Sequence, residues 1–192
     1  MSAIAALRVA TWPSHQRLEK RIDLKSRLAS ASNYRAHIEQ LWGFHAVLEP
    51  QLAAGIYPGH LSDFDSRRKL PLLERDLLAL GAAADALRRL PLCAAVPPCG
   101  DAAEAFGCAY VLEGATLGGR TLLPAVATRL GFTAERGAAY LASYGAAVGD
   151  MWRSFGAALD RCCAGARQQA RAAEAATATF VALEAWLCGS VA

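Results

Sequence analysis

Residues 110–119 read Tyr110-Val-Leu-Glu-Gly-Ala-Thr-Leu-Gly-Gly119, and the reading of this stretch decides the rest. Gly114, Gly118 and Gly119 fall inside a helical pattern, with Ala115 between them. Each interior glycine costs a helix roughly 1 kcal/mol relative to alanine, so three of them cost about 3 kcal/mol. Something must offset that cost. Gly114 and Gly118 lie about one turn apart and bare a strip of backbone on one face. Two uses fit such a strip: close packing against another helix, or the approach of a flat, bulky ligand over which the helix bends. The spacing is compatible with both.

The helix holding this stretch is expected to start at the cap Asp101 and run to Leu130, with Gly131 as its stop. The same period governs nearly all of the chain, and no segment alternates apolar and polar residues for long enough to form a strand. About seven helical segments are expected. The first spans Ala3–Arg21, with Leu7, Ala10, Thr11, Ser14, His15 and Leu18 on one face and a kink or restart at Pro13. A second is capped by Ser32 and ended at Glu49 by Pro50, before a loop marked by Gly55, Pro58 and Gly59. Pro71 starts another, closed by Gly81, and a short one spans Ala82–Leu90. Thr133 is expected to cap a helix reaching Cys163, and the last runs from Ala166 to Leu187. Without an internal repeat or a linker, residues 1–192 are read as one all-α domain.

Composition agrees with that class. Of the 192 residues 54% are hydrophobic, much of that share alanine, and 19% are charged, below the ~25% of average soluble domains. With a mean hydropathy of +0.21, this excludes a disordered chain. The net charge of +3 is too mild for a nucleic-acid footprint. Uncharged windows such as Gly137–Gly149 and Ala105–Leu112 are shorter than the ~18 apolar residues of a membrane span. The N-terminus lacks the cationic lead of a signal peptide, so a cytoplasmic protein is expected. The six cysteines form no CxxC and no zinc spacing, and are read as reduced, small apolar residues.

His15 lies on the apolar face of the first helix with Glu19 four residues on, a neighbouring position on a helix surface. Such a pair can be a salt bridge or a satisfied core histidine. It can also be a metal ligand, the carboxylate taking the Nδ1 proton and leaving Nε2 for the metal.

Read together, these segments resemble the heme oxygenase family. Leu7-Arg-Val-Ala-Thr-Trp-Pro-Ser-His-Gln-Arg-Leu-Glu19 is similar to the family's N-terminal helix, where an LRxAT…HxxLE pattern carries the axial histidine. Tyr110 to Arg120 is similar to its distal helix in the bacterial form YVLEGSTLGG. Tyr34–Leu52 with Gly43-Phe44 and Leu48-Glu49, Arg68–Gly81, and Thr179–Leu187 resemble the second, middle and C-terminal segments. Nearly the whole chain is covered in order, and the bacterial biliverdin-producing enzymes that supply bacteriophytochromes are the most similar subgroup.

The resemblance implies a multi-helical domain holding heme between proximal and distal helices. His15 would be the proximal iron ligand and Glu19 its orienting partner. Gly114, Gly118 and Gly119 would lie over the distal face, where side chains would collide with O2 or the macrocycle. Arg8 and Arg153, otherwise solvated arginines, would meet the heme propionates, as bidentate guanidinium groups suit carboxylates. Tyr110 would either line the pocket or pack in the core. Heme b would be both cofactor and substrate, cleaved with O2 and electrons from an external donor, such as ferredoxin or an NADPH-dependent reductase. Biliverdin, CO and ferrous iron would be the products. Ala115 departs from the family: animal enzymes have an aspartate there that organises distal waters, and the bacterial subgroup commonly has serine. Thr116 and Arg120 are the candidates to replace it. That departure motivates a second reading, a non-catalytic heme carrier or sensor. A third is a thiamin-degrading hydrolase of the related fold, with Cys108 as its candidate nucleophile.

Overall fold

The glycine-bearing stretch lies inside one unbroken 29-residue helix, in a computed structural model that describes residues 2–54 and 59–189. Gly55 and Pro58 of the expected loop lie outside the described residues. The ends of this helix form as its sequence dictates. The Asp101 carboxylate accepts from the Glu104 amide at 2.9 Å, Glu104 accepts from the Gly100 amide at 2.8 Å, and Gly131 closes the helix at a φ of +70°.

In chain order the elements are α1 (Ala3–Arg21), α2 (Leu24–Arg27), α3 (Ala31–Ala53), α4 (Phe64–Arg67), α5 (Leu70–Ala79), α6 (Ala84–Leu87) and α7 (Ala102–Leu130). Then come α8 (Ala139–Ala142), a 3-10 turn at Gly145–Ala147, α9 (Val148–Cys162) and α10 (Ala166–Cys188). The fold is all-α, with no strand among the described residues. The central pairing is α7 on α10, and α1 packs across α10 beside it. Small residues make that closeness possible. Ala172, Ala175 and Ala176 of α10 are buried, and a Cβ on Gly107 of α7 would run into the Ala172 carbonyl oxygen. Around this pair the larger side chains of α3, α5 and α9, among them Tyr34, Phe44, Leu73, Leu77 and Phe155, complete the core.

Several boundaries differ from the sequence expectation, among them the short helix read over Ala82–Leu90, which spans only Ala84–Leu87, and the restart allowed for at Pro13. Helix α1 runs unbroken through Pro13, whose ring sits on the exposed side while Leu7, Thr11 and Ser14 are buried on the other. Helix α3 passes Pro50 and gains another turn, because Leu52 is buried there. Its cap is Ser30, whose Oγ accepts from the Asn33 amide at 3.1 Å, and not Ser32. Thr133 starts no helix: it closes a tight turn with Arg136, and α8 begins at Ala139. Positive φ at Gly137, Ser143 and Gly145 breaks the run into pieces. The start of α8 is capped from a distance, the Asp76 carboxylate accepting from the Ala139 and Tyr140 amides at 2.7 and 2.8 Å.

One buried histidine ties α3 to α2. Arg27 Nη1 lies 2.9 Å from His37 Nδ1, and a guanidinium only donates, so Nδ1 is the acceptor and the ring is neutral. Burial, then the Arg27 charge, push its pKa down to about 3. An unfolded histidine titrates near 6.5, so below that pH the unfolded chain takes a proton that the folded chain refuses. Stability therefore falls as pH drops from about 6.5 towards 3, with a slope from this group of at most about 1.4 kcal/mol per pH unit. A His37→Gln protein is expected to keep, at pH 4.5, urea stability that the parent loses relative to pH 7. Parallel losses in both proteins would refute this account of His37.

Candidate heme site

A cavity of about 780 Å³ opens between α1, α7, α9 and α10, within the roughly 300–1,000 Å³ of small-molecule sites. Helix α1 supplies Arg8, Trp12, His15 and Glu19, and α7 supplies Tyr110, Gly114, Ala115 and Gly118. Trp152 of α9 and Phe180 of α10 close the sides. The walls are mostly apolar, with Arg8 as the one lining cation among the described residues.

His15 holds an unusual position. Its Nδ1 is buried without a hydrogen-bond partner, and the nearest carboxylate oxygen, Glu19 Oε2, stands at ion-pair distance, 3.5 Å. Yet 43% of the side chain is exposed, so the free part of the ring lies away from Nδ1, in the cavity. Trp12 stacks on the imidazole with centroids 5.9 Å apart and planes 8° from parallel, and Phe180 meets it edge-on at 5.7 Å. The ring is held by aromatic walls, not by hydrogen bonds.

The two uses open to the glycine strip divide among its members. A Cβ added at Gly114 or Gly118 meets nothing within 4 Å, so these two bare the helix towards open cavity. Gly119 points the other way: its Cβ would stand 2.7 Å from the Leu141 carbonyl oxygen, so it serves the packing of α8 on α7 and does not line the cavity. Ala115 lines the cavity and brings no polar group. Thr116 is buried, its hydroxyl donating to the Glu113 carbonyl at 2.7 Å, and neither it nor Arg120 lines the cavity.

Of the two expected propionate partners, Arg8 is at the cavity and Arg153 is not. Arg153 is 73% exposed and pairs with Asp150, while its neighbour Trp152 faces the cavity. Tyr110 satisfies both of its readings, being buried and cavity-lining. Its ring lies 5.6 Å from that of Trp152, and burial pushes its phenol pKa up, moderated by Thr11 and Arg8. Cys108 is buried and does not line the cavity, so the thiol-hydrolase reading has no nucleophile there. Trp12, Trp152 and Phe180 were not singled out from sequence. Trp12 had a visible signal, since it stands three residues before His15 on the same helix.

The donor set narrows what can bind. Among the described residues no group of three or more His, Cys, Asp or Glu could cage a free metal ion. One imidazole facing an apolar slot suits a metal that arrives already ligated in a flat macrocycle. The unpartnered Nδ1 beside Glu19, the bare backbone at Gly114 and Gly118, and the guanidinium of Arg8 fit heme.

Comparisons with known proteins agree. The heme oxygenase family model matches residues 1–188. A heme oxygenase of Xanthomonas campestris pv. campestris (strain 8004) is 31% identical over 149 residues, which is 76% of this chain and 81% of that one. The solved heme oxygenase of Neisseria meningitidis, studied in its NO- and CO-bound forms, superposes with a TM-score of 0.77 at 20% identity, covering 97% of this chain and 90% of that one. The Leptospira interrogans heme oxygenase gives 0.79 at 15% identity, covering 98% and 99%. The chain belongs to the heme oxygenase family.

Proposed function

We infer that this protein is an enzyme that cleaves heme, with O2 and externally supplied electrons, to biliverdin, CO and ferrous iron. One observation carries the reading: the cavity sets a histidine with a free ring edge on α1 and two glycines with nothing before them on α7. His15 would hold the iron through Nε2 and Glu19 would orient the ring through Nδ1, as carboxylates commonly do for ligating histidines. Arg8 would meet a propionate, and Gly114 and Gly118 would admit the macrocycle and O2. Arg153 would join a propionate only after leaving Asp150. The heme supplies the oxygen chemistry when bound, and the chain supplies orientation, an apolar enclosure and exclusion of bulk water. Residues 1–192 would act as one heme-binding domain. No helix among the described residues is long and apolar enough to cross a membrane. The redox donor would be a ferredoxin or an NADPH-dependent reductase, the compartment the cytoplasm, and a bacteriophytochrome a receiver of the biliverdin.

The test is aerobic turnover of the heme complex with ascorbate, or with ferredoxin and its reductase. Loss of the Soret band with appearance of biliverdin and CO is expected. A stable Soret band with no biliverdin would overturn the enzyme and favour the carrier reading, for which Ala115 is the specific observation.

A further inference from the structure

Behind the glycine strip lies a buried polar cluster, Arg67, Glu113 and Tyr144, none of which lines the cavity. Glu113 immediately precedes Gly114, and its side chain is almost fully buried. Arg67 Nη1 donates to its Oε2 at 3.0 Å and the Tyr144 hydroxyl to its Oε1 at 2.8 Å. The guanidinium of Arg67 is itself buried and has every side engaged. It donates to both carboxylate oxygens of Asp63 at 2.8 and 2.7 Å, to the Met151 carbonyl at 3.1 Å and to Ser154 Oγ at 2.6 Å. Lys69 Nζ sits 3.8 Å from the centre of the Tyr144 ring and donates to the Arg67 carbonyl.

Burying these charges is expensive, and in some proteins such groups specify an arrangement that packing alone does not. The residues they grip are telling. On α9, Arg67 holds Met151 and Ser154, which bracket the cavity-lining Trp152. On α7 it holds the residue before Gly114. One guanidinium thus joins two walls of the cavity from behind. Two further observations concern the same place. Ser143, just before Tyr144, is the only non-glycine among the described residues at positive φ, +45°, so the turn that delivers Tyr144 to Glu113 is strained. Thr116 draws on the Glu113 carbonyl, a hydrogen bond that competes with the helix ladder and favours a bend there.

We propose that Arg67, Glu113 and Tyr144 are positioning residues that set the height and tilt of the Gly114–Gly118 strip over the heme, and so select which meso carbon is cleaved. This rests on the heme reading above. The cluster touches neither substrate nor iron. It acts by fixing how far α7 leans towards the slot and how that lean is registered against Trp152 on α9.

The test uses the heme-loaded protein, with Glu113→Gln and Tyr144→Phe as variants and Leu77→Ala, in the core between α3 and α5, as a destabilised control. The readouts are the C–O stretching band of the ferrous CO complex and the ratio of biliverdin isomers. Glu113→Gln is expected to shift or split the band and change the isomer ratio by about twofold or more, the scale of such indirect couplings. Tyr144→Phe should move both in the same direction by less, with heme affinity within about threefold of the parent by the same reasoning. Leu77→Ala should lower the melting temperature and leave band and ratio alone. If Glu113→Gln fails to fold, Tyr144→Phe carries the test. Parent-like bands and ratios in both variants overturn the proposal, as does an equal shift in Leu77→Ala. A parent that binds heme without cleaving it refutes the functional reading, while the band still decides the positioning role. A parent that binds no heme overturns both.

Discussion

Replacing His15 with alanine is expected to lower heme turnover by about 100-fold or more while leaving the fold intact. Removing groups that merely orient a ligating histidine commonly costs 10–100-fold, so, with His15 as the proposed iron ligand, its loss should reach at least the top of that range. The unligated fold depends little on this side chain. The ring is 43% exposed, and its buried nitrogen makes no hydrogen bond that alanine would forfeit. Unfolding stability should therefore change by less than about 1 kcal/mol, as for other partly exposed positions. The measurement is a pair: urea unfolding without heme, and the ferric and ferrous spectra with it. Exogenous imidazole should restore a histidine-like spectrum to the variant. An unchanged spectrum and rate in His15→Ala would place the iron elsewhere and sink the assignment.

The second large effect runs in opposite directions for stability and function. A methyl group at Gly114 or Gly118 enters open space, so alanine there should stabilise the heme-free protein by about 1 kcal/mol, the helix gain over glycine. For a chain of this size that raises the melting temperature by about 2–4 °C. With heme bound as proposed, the same space would be the substrate's. Gly118→Leu should weaken heme binding by the 1–3 kcal/mol typical of overpacking, about 5- to 150-fold, with a smaller loss for alanine. Gly107 and Gly119 supply the contrast. There the added carbon meets the backbone of Ala172 or Leu141, so alanine should destabilise by about 1 kcal/mol or more even without heme. Melting curves of the four alanine variants, with and without hemin, read both signs. Four equal losses of stability would mean that the glycines near the cavity serve packing after all.

Much of this was visible in the sequence where the signal is local. The cap at Asp101 and the stop at Gly131 depend on neighbours within a turn and form as read, and Glu19 stands one turn from His15 with Oε2 3.5 Å from Nδ1, short of a hydrogen bond. The glycine strip was found but not resolved into its parts. Gly118 and Gly119 are adjacent letters with opposite duties, and only the position of α8 separates them. Arg153 was placed on the right helix but not at the cavity for a similar reason: it is exposed and paired with Asp150. The partners that tie α7 to α9 behind the glycine strip are distant in the chain. Arg67 reaches Glu113 across 46 residues and Met151 across 84, and no pattern within a window shows such a bond. The cap on α8 by Asp76, 63 residues away, was invisible on the same ground, and the expected helix from Thr133 was the result.

If heme binds in the open slot between α1 and α7, the substrate would be a structural component. A porphyrin plate seated between His15 and the glycines would finish an apolar layer that the polypeptide alone leaves open. At a heme concentration 100 times the dissociation constant this adds about 2.7 kcal/mol to the folded state. On that reading each catalytic cycle would consume the group that fills the slot, so the molecule would be most stable when loaded and least stable when product departs. Scarcity of heme would then thin the population of enzyme by ordinary proteolysis of the slack form, matching the amount of catalyst to the supply of what it destroys.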